Sequence, residues 1–139
     1  MKFIFGIHNH QPVGNFDFVF EEAYQNSYRP FIEMVERFSF LHFSLHVSGP
    51  LIDWLEAHHP EYFDAVSRLV ESKRVEMISS GYYEPILASI SDSDKIGQIE
   101  MMNDFIQRRF GVKPEGLWLT ERVWEPGLVK PISLAGIKY

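Results

Sequence analysis

The chain has no cysteine in its 139 residues, which excludes disulfides, zinc–thiolate centres and a cysteine nucleophile and is compatible with a reducing cytoplasm. Excess basic charge is missing too. Thirteen lysines and arginines against 19 aspartates and glutamates leave a formal net charge of −6, so no basic stripe attracts a phosphate backbone and nucleic acid is not an expected partner. Long apolar runs are also absent. The opening Phe3-Ile4-Phe5 is broken by Gly6 and then by His8-Asn9-His10, too short for a signal-peptide core or a membrane span. A soluble, cytoplasmic protein without a membrane partner is the expectation. What is abundant is apolar and aromatic mass, 45% hydrophobic and 15% aromatic, which at this length suits one globular domain with a real core.

Short extended runs alternate with helical ones. Lys2–Ile7 reads as a buried strand ending at His8-Asn9-His10-Gln11-Pro12, where proline stops the ladder. Helices are predicted over Phe18–Asn26 and Pro30–Phe38, with Pro30 in a first turn that needs no amide donor. Residues 40–48 set Leu41, Phe43, Leu45 and Val47 against His42, Ser44, His46 and Ser48, the period of a strand. One helix should follow Ser48-Gly49-Pro50 and another should start at Pro60. Val75–Ser79 is the third expected strand, running into Ser80-Gly81-Tyr82-Tyr83-Glu84-Pro85. Ser91 to Asp94 offer N-caps for a long helix to Phe110, with Gly111 at its left-handed end, and Gly116–Thr120 is the fourth strand. Gly127–Ala135 looks helical with a kink at Pro131 costing about 3 kcal/mol, Gly136 caps it, and Ile137 to Tyr139 begin another strand.

This alternation predicts an α/β fold with about four parallel strands, whose ligands gather where strand C-termini emerge. The polar groups fall there: His8 and His10, His46 and Ser48, Glu76 with Glu84, and Trp118 with Glu121. A parallel sheet that stops as its fifth strand begins leaves an apolar edge uncovered. The chain is therefore expected to be an N-terminal part of a larger fold, or to complete itself by association, homo-oligomerisation included.

Glu121 stands between Trp118 and Trp124, where a carboxylate persists only if paired, hydrogen-bonded or shifted in pKa. By position alone the stronger reading is an exposed strand-end acid paired with Arg122. Glu84, before Pro85, reads as a loop-shaping residue and stays outside the catalytic set. His8 and His10 share one side of an extended strand, so metal ligation completed by His46 and Glu76 is one alternative. His42 reads as a core or helix-facing histidine, His58 and His59 as a solvated helix end, and Trp54 as core.

Gly6-Ile7-His8-Asn9-His10-Gln11-Pro12 and Trp118-Leu119-Thr120-Glu121-Arg122-Val123-Trp124 resemble glycoside hydrolase family 57, in particular its 4-alpha-glucanotransferase and alpha-amylase members. His46-Val47-Ser48-Gly49, Gly81-Tyr82-Tyr83-Glu84-Pro85-Ile86 and Ala135-Gly136-Ile137-Lys138-Tyr139 extend the resemblance along the chain. It implies the N-terminal part of an incomplete (β/α)7 barrel acting on α-1,4-glucans or maltooligosaccharides with retention of configuration, with no cofactor and no metal. Glu121 matches the family's nucleophile; His8, His10, Glu76 and Trp118 match residues lining its sugar subsites. The general acid is an aspartate expected beyond Tyr139.

The chemistry fits these residue types. A retaining glycosidase attacks the anomeric carbon with one carboxylate while a second carboxyl protonates the leaving oxygen, the two roughly 5 to 5.5 Å apart. Pyranose C–H faces pack on aromatic rings, a role open to Trp118, Trp124, Tyr82 and Tyr83, and neutral histidines both donate to and accept from hydroxyls. Two other classes compete: a metal-dependent carbohydrate hydrolase or deacetylase built on His8 and His10, and a non-catalytic carbohydrate-binding module.

Overall fold

The structure, a computed structural model, describes residue 1 and residues 3–139; Lys2, the expected start of the first strand, lies outside the described residues. Two compact units, residues 1–76 and 77–139, divide the chain.

In the first unit, β1 (Gly6–Asn9) pairs in parallel with β2 (Phe43–Val47), Ile7 facing Leu45 and His8 facing His46; β3 (Val75–Met77), which ends at the boundary between the units, lies on the other side of β2. The first strand begins later than the sequence suggests: Phe3 and Ile4 stay outside the ladder and are exposed. Leu45 and Val47 are buried as the alternation requires, yet His46 and Ser48 on the opposite face are buried as well. That is how a sheet covered on both faces behaves, where polar residues survive only with partners.

Between β1 and β2 run α1 (Asp17–Ala23), a π-helical segment (Tyr24–Tyr28) and α2 (Arg29–Arg37). The two separate helices expected here are instead one continuous helical path. Proline inside a helix lacks a donor and presses on the carbonyl four residues back. The wider turn just before Pro30, in which Arg29 N–H donates to the Tyr24 carbonyl five residues back, absorbs that misfit. Helices α3 (Gly49–His58) and α4 (Pro60–Glu71) each carry proline in the first turn, and Leu51, Leu55, Phe63 and Val66 from them fill the core.

The junction of α3 and α4 is not the solvated histidine pair the sequence suggests. His58 Nδ1 donates to the Trp54 carbonyl at 2.9 Å, and its ring stacks on Trp54. His59 places Nε2 at 2.9 Å from Glu21 and Nδ1 at 3.0 Å from Glu61, while Tyr24 stacks on its ring and donates to Glu61 at 3.1 Å. Desolvation pulls the His59 pKa down, but Glu21 and Glu61 outweigh it, so the net displacement is upward; Glu61 is held low, first by its own backbone N–H and then by His59. A raised histidine stabilises the fold fully below its unfolded pKa of 6.5 and loses that contribution as pH rises through the folded value. The lowered glutamates contribute above 4.5 and lose it as pH falls. The melting-temperature difference between wild type and His59→Gln is therefore expected to peak between about pH 5 and 6.5 and to shrink on either side, which thermal melts across pH will read. His42 also departs from expectation: it is exposed, and its Nδ1 donates to the Lys73 carbonyl at 3.2 Å.

In the second unit α5 (Asp92–Phe110) has the ends its sequence announces. The Ser91 side chain accepts from Asp94 N–H at 3.2 Å, and Gly111 adopts φ 70°. Leu87, Ile99, Leu128, Ala135 and Ile137 form the buried cluster. The expected fourth strand is reduced to an isolated parallel bridge between Ser79 and Leu117. Ser79 N–H donates to Gly116 at 2.9 Å and Trp118 N–H to Ser79 at 2.7 Å, but the chain turns at Thr120 before a longer ladder forms. On the other side of Leu117, its N–H donates to Tyr139 at 2.8 Å and Lys138 N–H to Glu115 at 2.8 Å, the beginning of the pairing expected for residues 137–139. An apolar groove of about 580 Å³ lined by Leu117, Leu119, Trp124, Ile132, Ile137 and Tyr139 runs alongside. Pro131 does not kink its helix: after a 3-10 turn (Pro126–Leu128) it lies in the first turn of α6 (Val129–Leu134), where no intrahelical donor is required. Among the described residues no helix is long and apolar enough to cross a membrane.

Candidate active site

In the first unit the strand exits of β1 and β2 are tied together side chain by side chain. Asn9, buried, donates from Nδ2 to the Tyr62 hydroxyl at 3.0 Å, and burial pushes that hydroxyl's pKa up. The Tyr28 hydroxyl accepts from Gln11 Nε2 at 3.0 Å and donates to the His10 carbonyl at 3.1 Å, so it anchors the backbone of the predicted sugar-contacting histidine. Ser48 Oγ accepts from Gln11 N–H at 3.2 Å, and Ser48 N–H donates to the Asn9 carbonyl at 3.0 Å. Pro12 offers no amide, and this segment takes its order from side chains in place of a ladder.

His8 and His10 come together as their spacing predicts, rings stacked with centroids 5.7 Å apart. His8 also reaches its cross-strand partner: Nδ1 of His8 and Nδ1 of His46 are 2.7 Å apart, with ring centroids 4.8 Å apart. Burial holds the His46 pKa well below 6.5, and the charges His8 and His10 would carry lower it further, so His46 is a neutral imidazole. A 2.7 Å separation is a hydrogen bond. Two nitrogens on one tetrahedral zinc would stand about 3.3 Å apart, so these two atoms do not share an ion. Glu76 lies lower on the sheet: exposed, it accepts from Ser44 Oγ at 2.9 Å, and Ser44 pairs with Gly6 rather than His8.

In the second unit the site-bearing turns follow the Ser79–Leu117 bridge on both of its chains. After Ser79, whose Oγ donates to Asn103 at 2.6 Å, Gly81 to Pro85 turn back with Glu84 N–H on the Gly81 carbonyl at 2.9 Å. Gly81 is required here, since a Cβ would stand 2.9 Å from Pro85 Cδ. After Leu117, Trp118 is half-buried and Glu121 and Arg122 both take left-handed backbone, φ 55° and 56°. Two successive non-glycine residues there store strain of about 1–3 kcal/mol each, a pattern that clusters at functional sites. Thr120 Oγ1 is buried without a hydrogen-bond partner among the described residues. Of the four proposed aromatic platforms Tyr83 and Trp124 are exposed, whereas Tyr82 is buried.

Glu84 also has φ 50°. Burial first, and then the charge of Glu121, push its pKa up to about 7, so near neutral pH it holds a proton part of the time beside an acid set apart by position. Sequence reasoning set Glu84 aside, although an acid flanked by tyrosines and proline carries the same signal that picked out Glu121. It also gave His46 no role beyond metal ligation.

Comparison with known proteins follows the same residues. The sequence profile of glycosyl hydrolase family 57 matches residues 4–139. The chain is 50% identical over 139 residues to a 4-alpha-glucanotransferase of Thermococcus litoralis and 52% identical over 137 residues to alpha-amylase 1 of Dictyoglomus thermophilum, covering 100% and 99% of this chain but 21% and 20% of those proteins. The crystal structure of the 4-alpha-glucanotransferase from Thermococcus litoralis superposes with a TM-score of 0.93 at 51% identity, over 96% of this chain and 21% of that one. The chain thus spans about one fifth of the length of the curated relatives it matches. A family profile that covers nearly every residue, from the strand before His8 through Glu121 to Tyr139, settles the membership: the chain belongs to glycosyl hydrolase family 57.

Proposed function

We propose that this chain carries the nucleophile-bearing part of an incomplete (β/α)7-barrel catalytic domain that transfers or hydrolyses α-1,4-glucans with retention, acting in the cytoplasm as a 4-alpha-glucanotransferase, with alpha-amylase activity of the same family as the alternative. The observation that carries the reading is Glu121, an exposed carboxylate held on a strained turn directly after an extended segment, in a member of this family. Glu121 attacks the anomeric carbon; the glycosidic C–O bond breaks, and the leaving oxygen takes a proton from a carboxylic acid outside these 139 residues. A sugar 4-hydroxyl or water then cleaves the ester, and the two outcomes share the first step. His8, His10, Glu76 and Trp118 hold the sugar units, the histidines by donating and accepting at hydroxyls and Trp118 by its ring face.

The test is product analysis of the full-length protein given maltotetraose with and without EDTA. Products longer than the substrate identify the transferase, and shorter products alone the amylase; in both cases EDTA should leave the rate unchanged. Absence of any bond exchange, or a rate lost to EDTA and restored by zinc, overturns the reading.

A further inference from the structure

We infer that His46 is a positioning residue that fixes the ring plane and tautomer of His8, and so sets the protonation form in which His8 meets a ligand. The inference rests on the proposed sugar-contacting role of His8 and goes beyond it, because His46 itself lies too deep to touch a ligand: it is 0% exposed on the middle strand of three.

The geometry leaves little choice. Parallel register puts His8 directly opposite His46. Their Nδ1 atoms meet at 2.7 Å and the rings lie within 18° of parallel. Two Nδ1 atoms at that distance share one proton. One ring must donate Nδ1–H while the other offers its lone pair, so the two rings are held in opposite states at Nδ1. Burial keeps His46 neutral, so the bond places no positive charge on the buried ring. With Nδ1 of His8 committed to His46, the donor or acceptor state of Nε2 follows from where the shared proton sits. His10, stacked against His8, limits rotation of the ring.

A merely structural histidine would move stability alone, so the test reads tautomers and affinity. Long-range 15N–1H spectra of the full-length protein, with ring signals assigned by single substitutions, should find Nδ1 protonated in one of His8 and His46 and unprotonated in the other. In His46→Leu the His8 ring signals should shift toward those of a freely exchanging imidazole, and the Kd for maltotetraose should rise by about tenfold, the scale of one hydrogen bond lost from a half-buried group. His46→Asn, which returns an amide to the Nδ1 position, should recover most of the affinity. Matching tautomers for the two rings in wild type overturn the inference, and that measurement needs neither a variant that folds nor a sugar that binds. Unchanged His8 signals and affinity in His46→Leu overturn it equally. If the rings show opposite tautomers while maltotetraose neither binds nor reacts, the tautomer lock stands and the glucan reading fails instead.

Discussion

Replacing Glu121 with Gln in the full-length protein should lower kcat by about 10,000-fold or more, close to 5.5 kcal/mol of transition-state stabilisation at 1.36 kcal/mol per tenfold, while leaving maltooligosaccharide affinity within a few-fold of wild type. The amide keeps the shape and the hydrogen-bonding reach of the carboxylate but cannot form the ester, so the loss falls on the chemical step and not on binding. Glu121→Ala opens the space the carboxylate occupied. Azide should then enter from the same face, bond to the anomeric carbon and displace the leaving sugar, giving a glycosyl azide of inverted configuration. Unchanged turnover in either variant removes Glu121 from the mechanism.

The same substitution has an electrostatic consequence inside the second unit. Glu84 is raised to about 7 first by burial and second by the charge of Glu121. Glu121→Gln should therefore lower the Glu84 pKa, and it should stop above the ordinary 4.5 because burial remains. Titration of 13C-labelled carboxyl groups reads this directly. A Glu84 pKa that does not move would mean the two acids do not sense one another. The sign also bears on rate against pH. A Glu84 near 7 is neutral part of the time around neutral pH, and in that form it puts no negative charge beside Glu121, the nucleophile we propose.

Features decided within a few residues were the legible ones. Ser91 and Gly111 announce the ends of α5 because capping is a matter of local backbone donors and acceptors, and Pro60 marks α4 for the same reason. His8 and His10 come together because alternate residues of an extended chain share a side. What escaped was decided at a distance. The fourth strand shrank to one bridge because its length depends on what pairs on each side of Leu117, which no local pattern encodes. His59 looked solvated because Glu21, which holds its Nε2, is 38 residues away. His46 read as the polar side of an alternating strand, and only the register with β1 turns it into the partner of His8. The π turn before Pro30 was hidden differently: the proline was recognised, but a helix can absorb one by widening as well as by ending.

Strand β2 allows the stability and site roles of one segment to be separated. Leu45→Ala should destabilise the protein by about 2–5 kcal/mol, since Leu45 is 0% exposed and truncation removes transfer energy and leaves a cavity that a strand with neighbours on both sides cannot close. Ser44→Ala, one residue earlier on the opposite face, deletes only the hydrogen bond to exposed Glu76 and should stay within about 1 kcal/mol. Denaturant unfolding followed by tryptophan fluorescence gives both values, and a Leu45→Ala loss below about 1 kcal/mol would mean that β2 is not the packed centre of its unit. Leu45 and His46 are adjacent and both fully buried, yet they are expected to fail differently: the leucine through global stability, the histidine through the tautomer and ligand affinity of His8. Because successive side chains leave a strand on opposite faces, a single strand carries the core on one side and the alignment of the site on the other. Loosening Leu45 should therefore also broaden the His8 and His46 ring signals, at denaturant concentrations well below the unfolding transition, as the parallel register that joins them begins to slip.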